Sequence, residues 1–438
     1  MLTPDDVKVR TLGERTIRSP LRLSTVYGDG MVNFALDDAK VRHTVQLRPD
    51  RKRPQEVLFE QAGPRERIYF DPTTTRAAIV TCGGLCPGLN NVIRSVYLEL
   101  HHHYGVREVL GIRYGYRGLD PQVADEPVRL TGELVAEIHK QGGTVLGSSR
   151  GPHDVGQMVD MLQRLGVNVL LCVGGDGTQR GAHEIAAEAL RRGAEIAVVG
   201  IPKTIDNDIM YVWRTFGYYT AIEQAREVLT CAHVEATGAV NGIALVKLMG
   251  RDAGFIAAGA TVASQDVNFT LVPEVPFELD GPGGFLEWLK ERILGRHHAV
   301  IAVAEGAGQH LIPPDQAQRD ASGNIRYRDI GTFLRTRILD YFAAEGIPVS
   351  LKYFDPSYVI RSVPANCDDS LLCDQLARHA VHAAMAGKTD VLIGFWYNCF
   401  VHVPIEAAVA ERKQVSPESE LWRAVLAATG QPARFGGP

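Results

Sequence analysis

The stretch VVGIPKTIDNDI, residues 198–209, places a cation and two carboxylates directly after an apolar run. Lys203 suits a transferring phosphoryl group as a point charge, and Asp206 can accept a proton from a substrate hydroxyl. Thr204 can hydrogen-bond an anion. Ordinary turn chemistry, in which Asp208 caps or orients the loop, is the alternative for this stretch taken alone.

Two glycine-rich turns follow other apolar runs. Gly83 and Gly84, in GGLCPGLNNVIR, can bring backbone N–H groups close to an anion at a helix start. In GGDGTQRGA the acid Asp176 stands among the glycines, and because a bare carboxylate repels phosphate, it suggests a bridging Mg²⁺. Capping of the helix by Asp176 or Thr178 is an equal alternative. Neither turn has the G-K-[ST] of a Walker A loop.

A fourth turn, LMGRDAGF, carries Arg251, whose guanidinium fork suits phosphate charge. The four turns together place two glycine cradles, an acid for Mg²⁺, a base and two cations at the strand ends of one sheet. Such a set is typical of phosphoryl transfer, which depends on positioning and charge stabilisation.

The elements that must position these turns alternate along the chain. Apolar runs typical of buried strands are AAIVTC (77–82), VNVLLCV (167–173), EIAVVG (195–200), GIALVKL (242–248), HAVIAVA (298–304) and VLIGFW (391–396). Helical spacing is seen in 89–103, 178–192 and 219–233. This alternation predicts an α/β fold with a mainly parallel, doubly wound sheet, whose ligands bind beyond the carboxyl ends of the strands.

Composition excludes several classes of protein. The chain has 438 residues, 45% of them hydrophobic and 22% charged, with a net charge of -5, so we expect neither nucleic-acid nor membrane partners. The basic segment RPDRKRP at 48–54 favours a solvated surface over a nucleic-acid patch, because no aromatics interleave with it. Seven scattered cysteines and a start without a signal peptide predict the cytoplasm.

The motifs GGLCPGLNNVIR, GGDGTQRGA, PKTIDND, MGR, AEGAG and YVIRSVPAN occur in an order that resembles the 6-phosphofructokinases, over roughly residues 76–400. The resemblance implies two Rossmann-like doubly wound domains with the active site in the cleft between them, plus an N-terminal extension. We expect an N-terminal extension at 1–75, a nucleotide-binding domain at 76–217 with part of 359–400, a sugar-phosphate domain at 218–358 and a C-terminal extension at 401–438.

The activity implied is ATP-dependent phosphorylation of the 1-hydroxyl of fructose 6-phosphate, with Mg²⁺, in a homodimer or homotetramer. On the nucleotide side the resemblance assigns ATP contacts to Gly84, Arg150, Gly151, Gly175, Asp176, Gly177 and Thr178, and Mg²⁺ to Asp176.

On the sugar side the resemblance makes Asp206 the general base. It implies that Glu305 accepts a hydrogen bond from a sugar hydroxyl and that Arg361 binds the 6-phosphate. The residues expected to contact substrate are Lys203, Thr204, Ile205, Asp206, Met249, Gly250, Arg251, Glu305, Tyr358, Val359, Ile360 and Arg361.

The sequence departs from short bacterial members of the family. Those carry an arginine from the neighbouring subunit near Asn241, histidine where Tyr358 stands and glycine where Lys203 stands. These differences resemble the longer group of plant, protist and pyrophosphate-linked enzymes, so the effectors of the short form are not expected to transfer.

The phosphoryl donor receives two opposing signals. Lys203 resembles pyrophosphate-linked members, whereas Gly177 resembles ATP-linked ones, since pyrophosphate users carry aspartate there. We expect ATP because Gly177 leaves room for the nucleotide. The alternatives are a pyrophosphate-dependent enzyme, a non-catalytic sugar-phosphate sensor, and a kinase for NAD or a lipid that shares GGDGT.

Overall fold

The computed structural model describes residues 2–46, 56–151, 153–312 and 327–436. The basic segment at 48–54 lies outside these residues. The chain divides into two compact units. The first unit comprises Met1–Thr204, Ile209–Gly217 and Ser362–Glu411, and the second comprises Ile205–Asp208, Tyr218–Arg361 and Arg412–Pro438.

The strands among the described residues are β1 (Arg10–Thr11), β2 (Ile17–Arg18), β3 (Lys40–Arg42), β4 (Leu58–Gln61), β5 (Arg67–Ile68), β6 (Arg76–Thr81), β7 (Glu108–Ile112), β8 (Val128–Arg129), β9 (Val169–Gly174), β10 (Ala197–Pro202), β11 (Gly242–Leu248), β12 (Phe269–Leu271), β13 (His298–Ala304), β14 (Ser350–Phe354), β15 (Lys388–Thr389), β16 (Val391–Trp396) and β17 (Cys399–Pro404).

The α-helices in the same ranges are α1 (Leu89–Leu98), α2 (Gly132–Val135), α3 (Val155–Arg164), α4 (Asp176–Arg191), α5 (Tyr218–Thr237), α6 (Phe255–Ser264), α7 (Phe285–Arg296), α8 (Ile330–Ala344), α9 (Ser357–Ile360), α10 (Cys367–Met385), α11 (Ile405–Val409) and α12 (Glu420–Thr429). None of them is both long and apolar enough to span a bilayer.

The first unit contains a nine-stranded sheet in the order β3-β4-β17-β16-β10-β9-β6-β7-β8. Its central strands β16, β10, β9, β6 and β7 run parallel, and β9 and β10 are buried along their whole length. Burial on both faces explains why these strands read as continuous apolar runs in the sequence. The α/β prediction is confirmed for this unit.

The second unit contains a four-stranded parallel sheet in the order β12-β13-β11-β14. The turn of Arg251 follows β11 of this sheet, so the expectation that the four polar turns leave one sheet is wrong. Apolar side chains of α7 and α8 pack against it in one core that includes Phe285 and Leu334. The last described segment contributes as well, because Gln431 accepts a hydrogen bond at Oε1 from the backbone N–H of Thr270, at 2.6 Å.

The predicted strands and helices are confirmed, with one difference in helix type. The helix predicted at 89–103 is α-helical only to Leu98 and continues as a π-helix over Glu99–Tyr104. It ends at Gly105, whose φ of 81° places it in the left-handed region that favours glycine.

The segment before residue 75, which showed no strong periodicity, is fixed to the first unit by a buried charged cluster. The Glu60 carboxylate on β4 lies 2.6 Å from the Lys388 ammonium, 3.0 Å from the Arg65 guanidinium and 3.2 Å from Nδ1 of His402. These partners hold the pKa of Glu60 below its usual range despite the opposing effect of burial. Removing the Glu60 carboxylate would leave the buried Lys388 ammonium and Arg65 guanidinium without their shared partner.

We expect the protein to lose stability on mild acidification because its buried histidines resist protonation. Burial lowers the pKa of His379 to about 3 and that of His402 to about 4, the latter against the pull of Glu60. Below the ordinary pKa of 6.5 the unfolded chain therefore binds more protons than the folded one. Stability is complete above that pH and is lost as the pH falls toward 4, at about 1.4 kcal/mol per pH unit and proton.

Scanning calorimetry between about pH 7.5 and pH 5 measures this loss as a falling Tm. A His379→Phe variant keeps the stacking on Phe400, whose ring centroid lies 4.4 Å away, but removes one titrating group. Its Tm should fall less steeply. Equal slopes for the two proteins would contradict the assignment to His379.

Candidate active site

Three adjacent parallel strands of the first unit end at one edge of the sheet. Thr81 of β6 pairs with Val173 of β9, and Gly174 of β9 pairs with Pro202 of β10. The turns that begin at residues 83, 175 and 203 therefore start side by side. The structure brings together Gly84, Gly175 and Lys203 as the sequence predicts.

Lys203 forms hydrogen bonds to both neighbouring segments at this edge of the sheet. Its backbone N–H donates to the Gly174 carbonyl at 3.0 Å, and its ammonium donates to the Gly84 carbonyl at 2.8 Å. Only 5% of the residue is exposed. Gly83 has a φ of +85°, and a Cβ there would lie 3.3 Å from the Lys203 ammonium, so both conformation and space favour glycine.

The loop GGDGT forms the start of α4. Gly175 is the N-cap residue, and because glycine has no side chain, it makes no side-chain hydrogen bond that caps the helix. The Asp176 carboxylate lies 3.2 Å from Nε of Arg180, one turn along the helix. Gly175, and not Asp176 or Thr178, therefore occupies the N-cap position. Asp176 is the first helical residue and stands at the positive end of the helix dipole.

Two further residues of the loop differ in their surroundings. A Cβ added at Gly177 would have no atom within 4 Å apart from its local chain and helix backbone. Thr178 is buried, and its carbonyl accepts a hydrogen bond from the Tyr116 hydroxyl at 2.7 Å. Tyr116 lies far away in the sequence, and no local pattern marked it as a support for this loop.

The predicted nucleotide contacts Arg150 and Gly151 follow a segment that is hydrogen-bonded to the first glycine cradle. The Gly83 N–H donates to the Ser149 carbonyl at 3.1 Å, and the Ser148 hydroxyl donates to the Gly83 carbonyl at 2.5 Å. Arg150 itself is exposed at this edge. The two serines were not singled out in the sequence, although they directly precede Arg150 and Gly151.

The donor set can be tested for its fit to Mg²⁺. Within the described ranges, no group of three or more His, Cys, Asp or Glu side chains is arranged to hold a metal. Mg²⁺ is commonly bound by one or two carboxylates together with substrate phosphates, so a full protein cage is not required. The Asp176 carboxylate at the start of α4, next to the open space at Gly177, fits a metal that arrives with a nucleotide.

The second unit has a corresponding edge at the carboxyl ends of β11, β13 and β14. The Glu305 N–H donates to the Leu248 carbonyl, and the Gly306 N–H donates to the Gly250 carbonyl, both at 3.0 Å. These bonds join the segment Met249–Arg251 to the turn after β13. The structure thus brings the predicted residues 249–251 next to Glu305.

Opposite charges converge on Glu305. Burial raises the pKa of its carboxyl group, whereas the positive charges of Lys247, Arg251 and Arg361 act in the opposite direction. Lys247 also forms ion pairs with Asp355 at 2.8 Å and with Asp329 at 3.2 Å. Lys247 was not predicted as a site residue, but a lone cation within the apolar strand GIALVKL is a signal that the sequence did contain.

The predicted segment 358–361 spans α9 and its C-cap residue Arg361. The Arg361 guanidinium lies 4.6 Å from the ring centroid of Tyr358, which is 74% exposed. Val359 is also exposed, whereas Ile360 is fully buried. A substrate contact at Ile360 would therefore have to come from its backbone.

The loop that carries the predicted base continues from one unit into the other. The Thr204 carbonyl accepts a hydrogen bond from the Thr215 hydroxyl at 2.6 Å within the first unit. Ile205 is buried and Asp206 is half-buried, and both belong to the second unit. The predicted site residues therefore fall into two groups, one in each unit.

The chain is similar to proteins of one family. A family model described as Phosphofructokinase matches residues 76–384. The chain is 49% identical to the ATP-dependent 6-phosphofructokinase of Borreliella burgdorferi, over 98% of this chain and 97% of that protein. It is 44% identical to ATP-dependent 6-phosphofructokinase 7 of Arabidopsis thaliana, over 96% of this chain and 86% of that protein.

A solved structure supports the fold. The pyrophosphate-dependent phosphofructokinase of Marinobacter aquaeolei has a TM-score of 0.67 to this chain, covering 83% of this chain and 93% of that one at 18% identity. The family match and the curated relatives together establish that this chain belongs to the phosphofructokinase family.

Proposed function

We propose that the protein transfers a phosphoryl group from MgATP to the 1-hydroxyl of fructose 6-phosphate. The observation that carries the choice of donor is the open space at Gly177, in the first turn of α4. Backbone N–H groups at a helix start and a side chain-free position together suit the phosphates of a nucleotide. The relatives named as ATP-dependent enzymes support the same donor.

In the first unit, the ATP contacts that we propose are Gly84, Arg150, Gly151, Gly175, Asp176, Gly177 and Thr178. Asp176 would hold Mg²⁺, which neutralises phosphate charge when it is bound. Lys203 places an ammonium beside the Gly84 carbonyl, where it adds a positive charge close to the phosphate cradle.

In the second unit, we propose that Asp206 takes the proton of the sugar 1-hydroxyl. Glu305 would accept a hydrogen bond from another sugar hydroxyl, and Arg251 would face the transferring phosphoryl group. Burial raises the pKa of the Glu305 carboxyl group on balance, and the positive charges of Lys247, Arg251 and Arg361 act against this rise. Ile205, Met249 and Gly250 would line the sugar site.

The proposal is tested with purified enzyme, fructose 6-phosphate and equal Mg²⁺, supplying either ATP or pyrophosphate. We expect fructose 1,6-bisphosphate from ATP and little from pyrophosphate. The second candidate, a pyrophosphate-dependent enzyme, is favoured by Lys203 alone. A higher kcat/KM for pyrophosphate than for ATP would establish it, and no product from either donor would favour a sugar-phosphate sensor.

Arg361 is proposed to bind the 6-phosphate, together with Tyr358, Val359 and the backbone of Ile360. Arg361→Ala should raise the KM for fructose 6-phosphate far more than the KM for ATP, because a charge-assisted fork to phosphate is lost. Arg361→Lys should restore only part of the affinity, since lysine lacks the planar fork.

Steady-state kinetics with each substrate varied in turn measure this effect. Arg337→Ala is a matched control in the same unit, because Arg337 is partly exposed and pairs with Asp280 at 2.7 Å. It should leave both KM values unchanged. If Arg361→Ala raises only the KM for ATP, Arg361 binds ATP and not the 6-phosphate of the sugar.

We further propose that the protein acts in the cytoplasm as a homodimer or homotetramer. None of the seven cysteines, which all lie in the described residues, forms a disulfide bond, and this suits a reducing compartment. Exposed apolar side chains at Val26, Tyr27, Met31 and Val32 support association with another subunit. Light scattering coupled to gel filtration would measure the subunit number.

A further inference from the structure

A segment near the end of the chain contacts the loop that contains Asp206. This segment, Arg412–Val415, belongs to the second unit together with residues 205–208. The Lys413 N–H donates to the Asp208 carbonyl at 2.9 Å, and the Lys413 ammonium donates to Oδ1 of Asn207, also at 2.9 Å. Main-chain and side-chain bonds thus reach the two residues that follow Asp206.

The same segment contacts the turn that follows β11. Arg412 forms an ion pair with Asp252, and the Gln414 side chain donates to the Asp252 carbonyl at 3.1 Å. The Val415 N–H donates to Oε1 of Glu274 at 2.8 Å, and the same carboxylate accepts the Gly254 N–H at 2.9 Å. Four consecutive residues therefore connect the loop of Asp206 with the turn that carries Arg251.

Lys413 is an unusual residue for its surroundings. Its ammonium lies 5.1 Å from the ring centroid of Phe255, and burial lowers the pKa of Lys413 to about 7, although Asp208 acts against this. Desolvating an ammonium costs free energy. A lysine in such a place has a role other than surface solubility.

Asn207 is the residue on which this ammonium acts. It is buried, and its φ of 56° lies in the left-handed region that non-glycine residues rarely adopt. Asparagine adopts this region more readily than most other non-glycine residues, and the bond from Lys413 favours one orientation of its amide. The direction in which the adjacent Asp206 leaves the chain depends on this conformation.

We infer that the segment Arg412–Val415 positions the loop of Asp206, and that Lys413 is the positioning residue, acting through Asn207. The inference rests on the proposed function, in which Asp206 accepts the proton of the sugar hydroxyl. Lys413 is not proposed to touch substrate. Its loss should therefore slow turnover without weakening the binding of either substrate.

The test is the Lys413→Met variant of the full chain, which keeps the length of the side chain and removes the ammonium. We expect kcat to fall on the order of 10²-fold, because a small misplacement of a catalytic group costs about that much. The KM values for fructose 6-phosphate and ATP should stay close to those of the wild type. Unchanged kcat, or a rise in KM at constant kcat, would overturn the inference.

Lys388→Met is the matched control, since Lys388 is also a buried lysine but pairs with Glu60 in the first unit. It should lower Tm without changing kcat of the folded enzyme. If both lysine variants lose kcat in proportion to their loss of folded protein, measured by circular dichroism, the effect of Lys413 is merely structural and the inference fails.

A second variant serves if Lys413→Met does not fold. Asn207→Gly removes the amide that Lys413 contacts, and glycine adopts the same φ without strain. It should lower kcat at constant KM, and an unchanged kcat would overturn the inference. Where Lys413→Met does fold, adding it to Asn207→Gly should cause little further loss, because the two changes remove the same interaction. Additive losses would contradict action through Asn207.

Asp206→Asn, measured in parallel, distinguishes a failure of the positioning role of Lys413 from a failure of the proposed function. Loss of kcat in Asp206→Asn with normal kcat in Lys413→Met and Asn207→Gly rejects the positioning role and leaves the proposed function standing. Normal kcat in Asp206→Asn rejects the proposed base itself, and the positioning inference with it.

Discussion

Gly177→Asp should abolish the use of ATP. The new carboxylate would stand in the first turn of α4, where the nucleotide phosphates are proposed to bind. Two like charges ~4 Å apart cost about 4 kcal/mol at an effective dielectric of 20. This corresponds to a fall of roughly 10³-fold in kcat/KM for ATP before any steric clash. Activity with pyrophosphate does not follow from the exclusion of ATP and is measured separately.

The protein itself should tolerate this substitution. A Cβ at position 177 has free space, and an acid in the first turn of a helix is favoured by the dipole. Tm should therefore be unchanged or slightly raised, so that lost activity reports on the ligand and not on folding.

Two matched variants separate charge from size at this position. Gly177→Ala adds a methyl group and should retain most ATP activity, while Gly177→Asn adds the bulk of aspartate without its charge and should lie between. If Gly177→Asp keeps ATP activity within tenfold of the wild type, the bound nucleotide does not lie next to residue 177.

Asp206→Asn should lower turnover by about 10²–10⁴-fold, because asparagine keeps the size of the side chain but cannot accept the proton. The KM for fructose 6-phosphate should change little, since the proton is transferred only during the reaction. Initial rates at saturating ATP measure the effect.

Asp280→Asn is the control for the same chemical change. Asp280 lies in the same unit and pairs with Arg337 at the surface, so its loss should leave kcat as it is. Near-normal turnover of Asp206→Asn would remove Asp206 from the role of base.

The sequence by itself determined the order of strands and helices and the turns that carry polar residues. Buried parallel strands such as β9 and β10 are continuous apolar runs, and helix α4 follows a glycine-rich turn, so local patterns were sufficient. The family was also within reach of the sequence, because GGDGT and PKTIDND follow such strands at a fixed separation. The roles of the individual site residues stay predictions.

Only the tertiary structure decided which side chains support these turns. Lys203 binds the carbonyl of Gly84, 119 positions away, and Lys413 binds Asn207 across 206 positions. Tyr116 supports Thr178 from another element, and Lys247 adds its charge to the surroundings of Glu305. Contacts of this kind depend on how elements that are distant in the sequence pack together. No periodicity or spacing in the sequence therefore marks them. The sequence therefore indicated where the chemistry lies, and the fold decided what holds it in place.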